Sequence, residues 1–446
     1  MDGQLIQKKD CSAAVAAVLP EAKSLADAGK LAEAVELLLG IEKQARMGND
    51  VPSLKEVVLQ TVRLVREHND WEQLNATLTQ LSKRRSQNKA AITAMVQEAM
   101  GPSYVDAAPD ADTKKKLIIT LRDITDGKIF VEAERARLTR TLAHLLEAEG
   151  KVGEACDIIQ DVHVETYGSL DKQEKLDFIL EQIRLTLAKK DFVRTYIIAK
   201  KVTKKLLDGE DPALQVLKLK FYRLMIEYHS LAEKEAFEIA QHYHSIYDTP
   251  VVRAEEAQWK EALSSCVLFL IIAPHSNQQS DMLHRLVTEE EDNLTDLPIY
   301  KEILKTYTTK EIIRYPLPQL PEIEVHPALT QYGPELAQHW LAQLRTRVIQ
   351  HNIRVLSGYY KKIRLTRAAD LLSLAVPELE TNIATLVSEG SVYARVDRPA
   401  NQVCFAPPKV AEEALSDWAA DISELLHLVE RTTHLISKEM MIHKVV

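Results

Sequence analysis

Two histidines flanking a tyrosine, His242 and His244, are the nearest approach in this 446-residue chain to a metal-ligating motif. On a helix, residues two apart point in different directions, so the pair makes a poor clamp. No third ligand stands at a convincing spacing. A metal-dependent deubiquitinase would need His-x-His followed by Ser and Asp at fixed offsets, and Val252 occupies the position where Ser is required. Nucleotide binding has no support either, since the chain contains no Gly-x-x-x-x-Gly-Lys-Ser/Thr loop and no Gly-x-Gly-x-x-Gly turn. Cys11, Cys156, Cys266 and Cys404 are far apart and form no CxxC pair. Their spacing gives neither a zinc site nor a disulfide framework and fits a reducing compartment. None has a neighbourhood that would activate a thiolate. The expectation is therefore no catalytic, metal or cofactor-binding residue, and a protein that is not an enzyme.

Charge is the other source of chemistry. Lys83-Arg84-Arg85, Lys114-Lys115-Lys116, and Lys200, Lys201, Lys204 and Lys205 fall on helical patterns and read as solvated faces. Arg345, Arg347, Arg354, Lys361, Lys362 and Arg364 make one stretch locally basic, a face that would suit an acidic partner. The net charge of −9 nonetheless excludes a general nucleic-acid binder, which shows a basic excess. The longest apolar run, Cys266 to Ala273, is too short for a bilayer, and the N-terminus carries no apolar signal core. Neither nucleic acid nor membrane is an expected partner.

The elements behind these residues are mostly helices, and the exception is the stretch from Leu365 to Phe405. Thr366 is placed to cap a first helix containing Leu371, Leu372 and Ala375. Pro377 suits the first turn of a second, in which Leu379, Ile383, Leu386 and Val387 recur at helical spacing. Gly390 is a left-handed stop. Val392, Ala394 and Val396 alternate with Tyr393, Arg395 and Asp397, and Val403 to Phe405 returns as a second strand. This order of elements predicts a winged helix. Its recognition helix would carry Glu378, Glu380 and Glu389 with no Lys or Arg, whereas a groove reader needs cations and amides at base edges. The free edge of a small sheet can instead pair with another chain. Tyr393, Arg395, Val403 and Phe405 are the expected subunit contacts on that edge.

Before the winged element, Gly29-Lys-Leu-Ala-Glu-Ala34 resembles Gly150-Lys-Val-Gly-Glu-Ala155, and Asn69-Asp-Trp71 resembles Lys190-Asp-Phe192. With a looser echo at Phe237, the anchors Leu31, Trp71, Val152, Phe192 and Phe237 imply a period near 40, which reads as stacked helix pairs. Met100 to Asp112 reads as a loop, and the five prolines of 315–334 as a stiff connector that excludes regular helix. A long helix from Glu335 to Lys362 follows, with Trp340, Leu344, Val348, Ile353, Leu356 and Tyr360 as its core contacts. Past Pro408, the residues Leu415, Trp418, Ile422, Leu425, Val429, Thr432 and Ile436 are spaced 3 and 4 alternately, the heptad seam of a long helix that seeks a partner.

Helical repeats, winged helix and terminal helix in this order resemble the PCI family, known from the proteasome lid, the signalosome and a translation initiation factor. The segments GKIFVEAERARLTR (127–140), VETYGSL (164–170), FILEQIRL (178–185), RVIQHNIRVLSGYYKKIRL (347–365) and ARVDRPANQVCF (394–405) are similar to its proteasome-lid branch. The resemblance implies a mainly α protein: an N-terminal right-handed solenoid of helix pairs over 1–210, the helical part of a PCI domain over 211–364, a winged helix with a small antiparallel sheet over 365–408, and a C-terminal bundle helix over 409–446. It also implies a non-catalytic scaffold in a hetero-oligomer of cytoplasm and nucleus. The implied partners are other PCI subunits, the lid deubiquitinase, the ATPase ring and the core particle. A signalosome subunit is the alternative, and a winged-helix nucleic-acid binder a weaker one.

Overall fold

A computed structural model describes residues 11–203, 207, 209 and 211–443. Lys204 and Lys205 of the basic cluster lie outside the described residues. The chain divides into two compact units, residues 1–234 with 242–259, and residues 235–241 with 260–446.

The first unit is a stack of helix pairs. Successive pairs are Ser12–Asp27 with Leu31–Met47, Val51–Glu67 with Trp71–Lys83, Lys89–Ala99 with Ala111–Thr125, Glu132–Ala148 with Val152–Gln160, and Lys172–Ala188 with Phe192–Ala199. Each pair starts about 40 residues after the last, the interval of a helical solenoid. The pair spanning 89–125 is the one that carries no sequence signature. Leu31, Trp71, Val152 and Phe192 each open the second helix of a pair, and Phe237 lies one residue into the helix Ala236–Tyr247.

Their signatures encode the corner before the helix. Gly29 and Gly150 both take φ +81°, a left-handed conformation that a side chain would strain. At the other corners Asn69 and Lys190 adopt positive φ, and the Asp that follows caps the helix: Asp70 accepts from the Gln73 N–H and Asp191 from the Arg194 N–H. Asn49 and Asp50 repeat the device before Val51. Each corner leaves one helix and starts the next within three residues.

Ion pairs then tie each pair to its neighbour at a sequence separation close to one repeat. Arg63 reaches Glu98 at 2.7 Å, Arg137 reaches Glu174 at 2.8 Å, and Arg184 reaches Glu147 at 2.5 Å. Arg84 meets the buried Glu42 at 2.6 Å, with Arg46 on its other oxygen at 3.1 Å. The loop expected at 100–112 contains a helical turn, Pro102–Val105, whose Tyr104 and Val105 are buried.

In the second unit, helix Glu256–Ile272 runs through the interior with Ala262 to Ile272 buried throughout. Trp340 of helix Pro334–Tyr359 stands edge-on to Phe269, with ring centroids 5.4 Å apart. The connector before that helix is not free of helix. It forms Leu320–Glu324 and Pro327–Thr330, and Leu317, Ile323 and Leu329 are buried. Prolines at the first turn explain the difference: Pro321 and Pro327 start these short helices, where a missing N–H breaks no hydrogen bond.

The long helix ends at Tyr359, and the chain turns into a strand that the sequence reading assigned partly to the helix. This β1 (Lys362–Arg364) joins β2 (Arg395–Asp397) and β3 (Gln402–Cys404) in an antiparallel sheet of order β1-β3-β2. Ile363 and Val396 both sit opposite Val403. Helices Leu365–Leu372 and Val376–Ser388 cover the sheet and complete the winged helix. The N-cap position of the first is Arg364, the last residue of β1, and not Thr366, because the strand leads directly into the helix. Pro377 is in the first turn of the second. Gly390, at φ +71°, ends it: the N–H of Ser391 returns to the Leu386 carbonyl at 3.0 Å. One core joins Ile349, Ile353 and Leu356 of the long helix to Leu379, Ile383, Leu386, Val403 and Phe405.

Candidate interaction surfaces

His242 and His244 do not converge on one ligand position. His244 pairs with Asp248 one turn on at 3.1 Å, while the His242 ring packs on Tyr222, with centroids 5.6 Å apart. His144, Glu147 and Glu181 come within ligand-binding distance of one another. Arg184 already bonds both carboxylates at 2.5 Å, and Lys220 stands 3.6 Å from Glu181, so their acceptor capacity is taken by cations. Burial pushes the Cys156 thiol up, away from a reactive thiolate. The basic clusters are partly occupied as well: Lys114 pairs with Asp106, Lys115 with Glu149 and Lys201 with Glu165.

The winged element is acidic on one face, and its glutamates are held by the chain's own arginines. Arg345 of the long helix bonds Glu378 at 3.0 Å, and Arg398 of the β2–β3 turn bonds Glu380 at 2.6 Å. Arg345 therefore meets its acidic partner within the unit. Arg347 is largely buried and donates to the Ile272 carbonyl at 3.2 Å and to Gln350 at 2.6 Å. A helix lined with paired carboxylates presents no cation to a phosphate.

The strand order divides the four expected edge residues. β2 is an outer strand, and Arg395 on it and Tyr393 just before it are exposed. Val403 lies in the middle of the central strand, with its side chain fully enclosed, and Phe405 is buried in the same core. These two offer no edge. The hairpin alone left the central position open: β1, the strand absent from the sequence reading, covers the second side of β3 and moves the free edges to β1 and β2.

The terminal helix Ala411–Ile442 runs for 32 residues, and none of them is buried. At about 1.5 Å per residue it is about 48 Å long. Leu415, Trp418, Ile422, Leu425, Val429 and Ile436 all lie on its surface, and Trp418 is 63% exposed. Leu426, Leu428, Leu435 and Met440 are exposed too and widen the stripe beyond the seam. Full burial of one such side chain contributes about 1.5–3 kcal/mol, so the stripe leaves in water apolar surface whose transfer is worth on the order of 10 kcal/mol. Near its start Lys409 pairs with Asp417.

Three family models match the chain. One described as PSMD12/CSN4, N-terminal, covers residues 33–255, the PCI domain covers 326–407, and the C-terminal domain of 26S proteasome regulatory subunit RPN5 covers 412–444. The last is the exposed helix. The 26S proteasome regulatory subunit RPN5 of Saccharomyces cerevisiae is 38% identical over 99% of this chain and 98% of its own length. The 26S proteasome non-ATPase regulatory subunit 12 of Dictyostelium discoideum is 42% identical over 95% of this chain and 93% of its own. Homolog A of that subunit in Arabidopsis thaliana is 38% identical over 94% and 99%. With matches from the stacked helices to the terminal seam, the chain belongs to the PSMD12 family of PCI-domain proteasome regulatory subunits.

Proposed function

We propose that this chain is a non-catalytic scaffold of the 26S proteasome lid, serving ubiquitin-dependent protein degradation. The observation that carries this reading is the terminal helix. A surface helix with a heptad seam and no buried residue is half of an interface, and it coincides with the match to the RPN5 C-terminal domain. The seam joins a bundle with the terminal helices of other lid subunits. The winged helix adds a lateral contact through β2, with Tyr393 and Arg395 against a neighbouring PCI subunit. The stacked helix pairs reach towards the ATPase ring and core particle and restrain the lid deubiquitinase. The protein works in cytoplasm and nucleus, wherever the assembled particle does.

Affinity capture of the native, tagged chain followed by native mass spectrometry tests the reading. Recovery of lid subunits together with ATPases and the proteolytic core supports it. Recovery of cullin-deneddylase subunits in their place would assign the chain to the signalosome. Tight binding to duplex DNA at physiological salt would defeat the scaffold reading.

A further inference from the structure

The second unit contains a cavity of about 470 Å³ lined by helices Asn277–Glu289, Pro298–Thr308 and Pro334–Tyr359. Its chemistry is cationic and incomplete. Arg354 lines it, largely buried, and its guanidinium has no ion pair or hydrogen bond among the described residues. Burial lowers Arg354 to about 10, so it still carries its charge at neutral pH. Every other arginine brought inside this unit is satisfied: Arg347 on the same helix bonds a carbonyl and two glutamine oxygens. Tyr307 lines the cavity as well, and its hydroxyl is buried without a hydrogen-bond partner. A fold that needed only packing here would be served by an apolar side chain, because an uncompensated buried charge and an unsatisfied hydroxyl both cost stability.

Two histidines complete the wall. The His351 Nε2–H donates to the Glu311 carbonyl at 3.2 Å, which leaves Nδ1 with a lone pair. Gln279 donates its amide to the Leu270 carbonyl at 3.0 Å and so turns its oxygen to His275 Nδ1, 3.4 Å away. His275 therefore carries its proton on Nδ1, and Nε2 is the lone pair. Burial and the Arg354 charge hold both rings below the usual imidazole range, so both are neutral near pH 7. The enclosed wall thus offers Arg354 as its cation, the Tyr307 hydroxyl as a donor and two nitrogen acceptors, while the exposed Lys310 and the Ser280 hydroxyl also line the cavity. A fully deprotonated anion satisfies the first two and repels the two nitrogens. An oxyanion that keeps one O–H satisfies the cation, the hydroxyl donor and one of the two nitrogens, and a phosphate monoester, with a second pKa near 6, has such a form close to neutrality. Leu283, Val355 and the Tyr359 ring add an apolar flank, and the volume exceeds what a bare phosphate fills.

We propose that this cavity binds a small organic phosphate monoester. Arg354 grips the two unprotonated phosphoryl oxygens in the forked geometry that guanidinium favours, Tyr307 donates to one of these same oxygens, and His275 or His351 accepts the P–O–H. The organic group lies against Leu283, Val355 and Tyr359. Free phosphate and the monoester share the recognition chemistry, and the apolar flank selects the monoester.

Calorimetric titration and thermal shift of the full-length chain test this with phenyl phosphate, inorganic phosphate and phenyl sulfate. Phenyl phosphate is expected to bind saturably at one site and to raise the melting temperature. Inorganic phosphate should bind at least about tenfold more weakly, the worth of a modest apolar contact. Phenyl sulfate, which has no proton to offer, should give no saturable signal. Arg354→Met should raise the melting temperature of the free protein, since it removes an unpaired buried charge, and abolish the response to phenyl phosphate. Tyr307→Phe, which leaves the packing intact, should weaken phenyl phosphate about fivefold or more, the effect of one lost hydrogen bond, and keeps the test decisive if Arg354→Met does not fold. Absence of saturable phenyl phosphate binding, or binding unchanged in both variants, would overturn the site. Equal binding of phenyl sulfate would overturn the role of the histidines, and equal binding of inorganic phosphate the organic ligand.

Discussion

Two long helices of this chain have similar apolar content and opposite fates. Pro334–Tyr359 buries eleven of its 26 residues, among them Trp340, Leu344, Val348, Ile353 and Leu356. Ala411–Ile442 carries Leu415, Trp418, Ile422, Leu425, Val429 and Ile436 at equally regular spacing and buries none. Periodicity says that a helix has a face. It does not say who covers that face. The first helix is covered by the connector, helix Glu256–Ile272 and the winged element of the same unit. The second has no such cover among the described residues, and its heptad seam, widened by Leu426, Leu428, Leu435 and Met440, stays on the surface.

The comparison breaks most visibly at Trp340. Trp340→Ala removes a side chain that is 1% exposed and its edge-on contact with Phe269. The expected loss is about 3–5 kcal/mol, read as a lower urea midpoint of the isolated chain. Trp418→Ala, the same chemical change on the bare helix, should stay within about 0.5 kcal/mol. Similar losses at the two tryptophans would mean that the terminal helix is covered by its own chain after all.

The seam gives the complementary test. Replacing Leu425 and Val429 by Asp puts two charges where a partner helix would bury apolar groups, at a cost of several kcal/mol in the assembly. In the isolated chain both positions are already in water, so its melting curve should not move. Loss of incorporation into the native complex with unchanged thermal unfolding is the expected pair of results. Normal incorporation of the variant would sink the bundle.

What could be read in advance follows the same division. The helix pairs were legible because their corners repeat: a left-handed Gly, or an Asn or Lys before a capping Asp, stands ahead of each anchor. The pair at 89–125 was not, because it is capped by Asn88 and Asp110 in a different local pattern. The connector was misjudged because proline was weighed as a breaker, whereas Pro321 and Pro327 each start a turn. β1 was missed because Lys-Ile-Arg is three residues long, and only its pairing with β3 makes it a strand. The seam residues were read from spacing alone. Val403 and Phe405 were not placed correctly, since strand order is a tertiary fact that alternation does not contain.

A third effect separates the units by pH. His326 is buried, its Nδ1 accepts the Ala328 N–H at 3.2 Å, and its Nε2 lies 3.1 Å from the Ser264 hydroxyl. Protonation would cost the ring its capping role, and burial lowers the group to about 4. Between pH 6.5 and about pH 4 the unfolded chain takes up a proton that the folded chain refuses, so stability falls as pH falls across that window. The loss reaches at most about 3 kcal/mol at the acid end. Urea midpoints measured from pH 7 to 4.5 should show this slope in the full chain and equally in a chain shortened at residue 410, because the terminal helix buries nothing. His326→Asn retains a capping acceptor without the titration and should make the slope shallower, leaving the part that His275 and His351 contribute in the same direction.

The smallest effect distinguishes edge from centre within the winged element. Val403→Asp would place a charge in the core shared with Ile353 and Leu379, so it unfolds the element and says nothing about partners. Tyr393 stands beside the outer strand, 44% exposed. Tyr393→Ser should change the stability of the isolated chain by no more than about 0.5 kcal/mol. If β2 is the side on which a neighbouring subunit sits, the same change should speed dissociation from the assembled complex by severalfold, because an exposed aromatic at an interface acts mainly through the off-rate. Unchanged dissociation would move the lateral contact to the other free edge, β1, where Lys362 and Arg364 stand exposed.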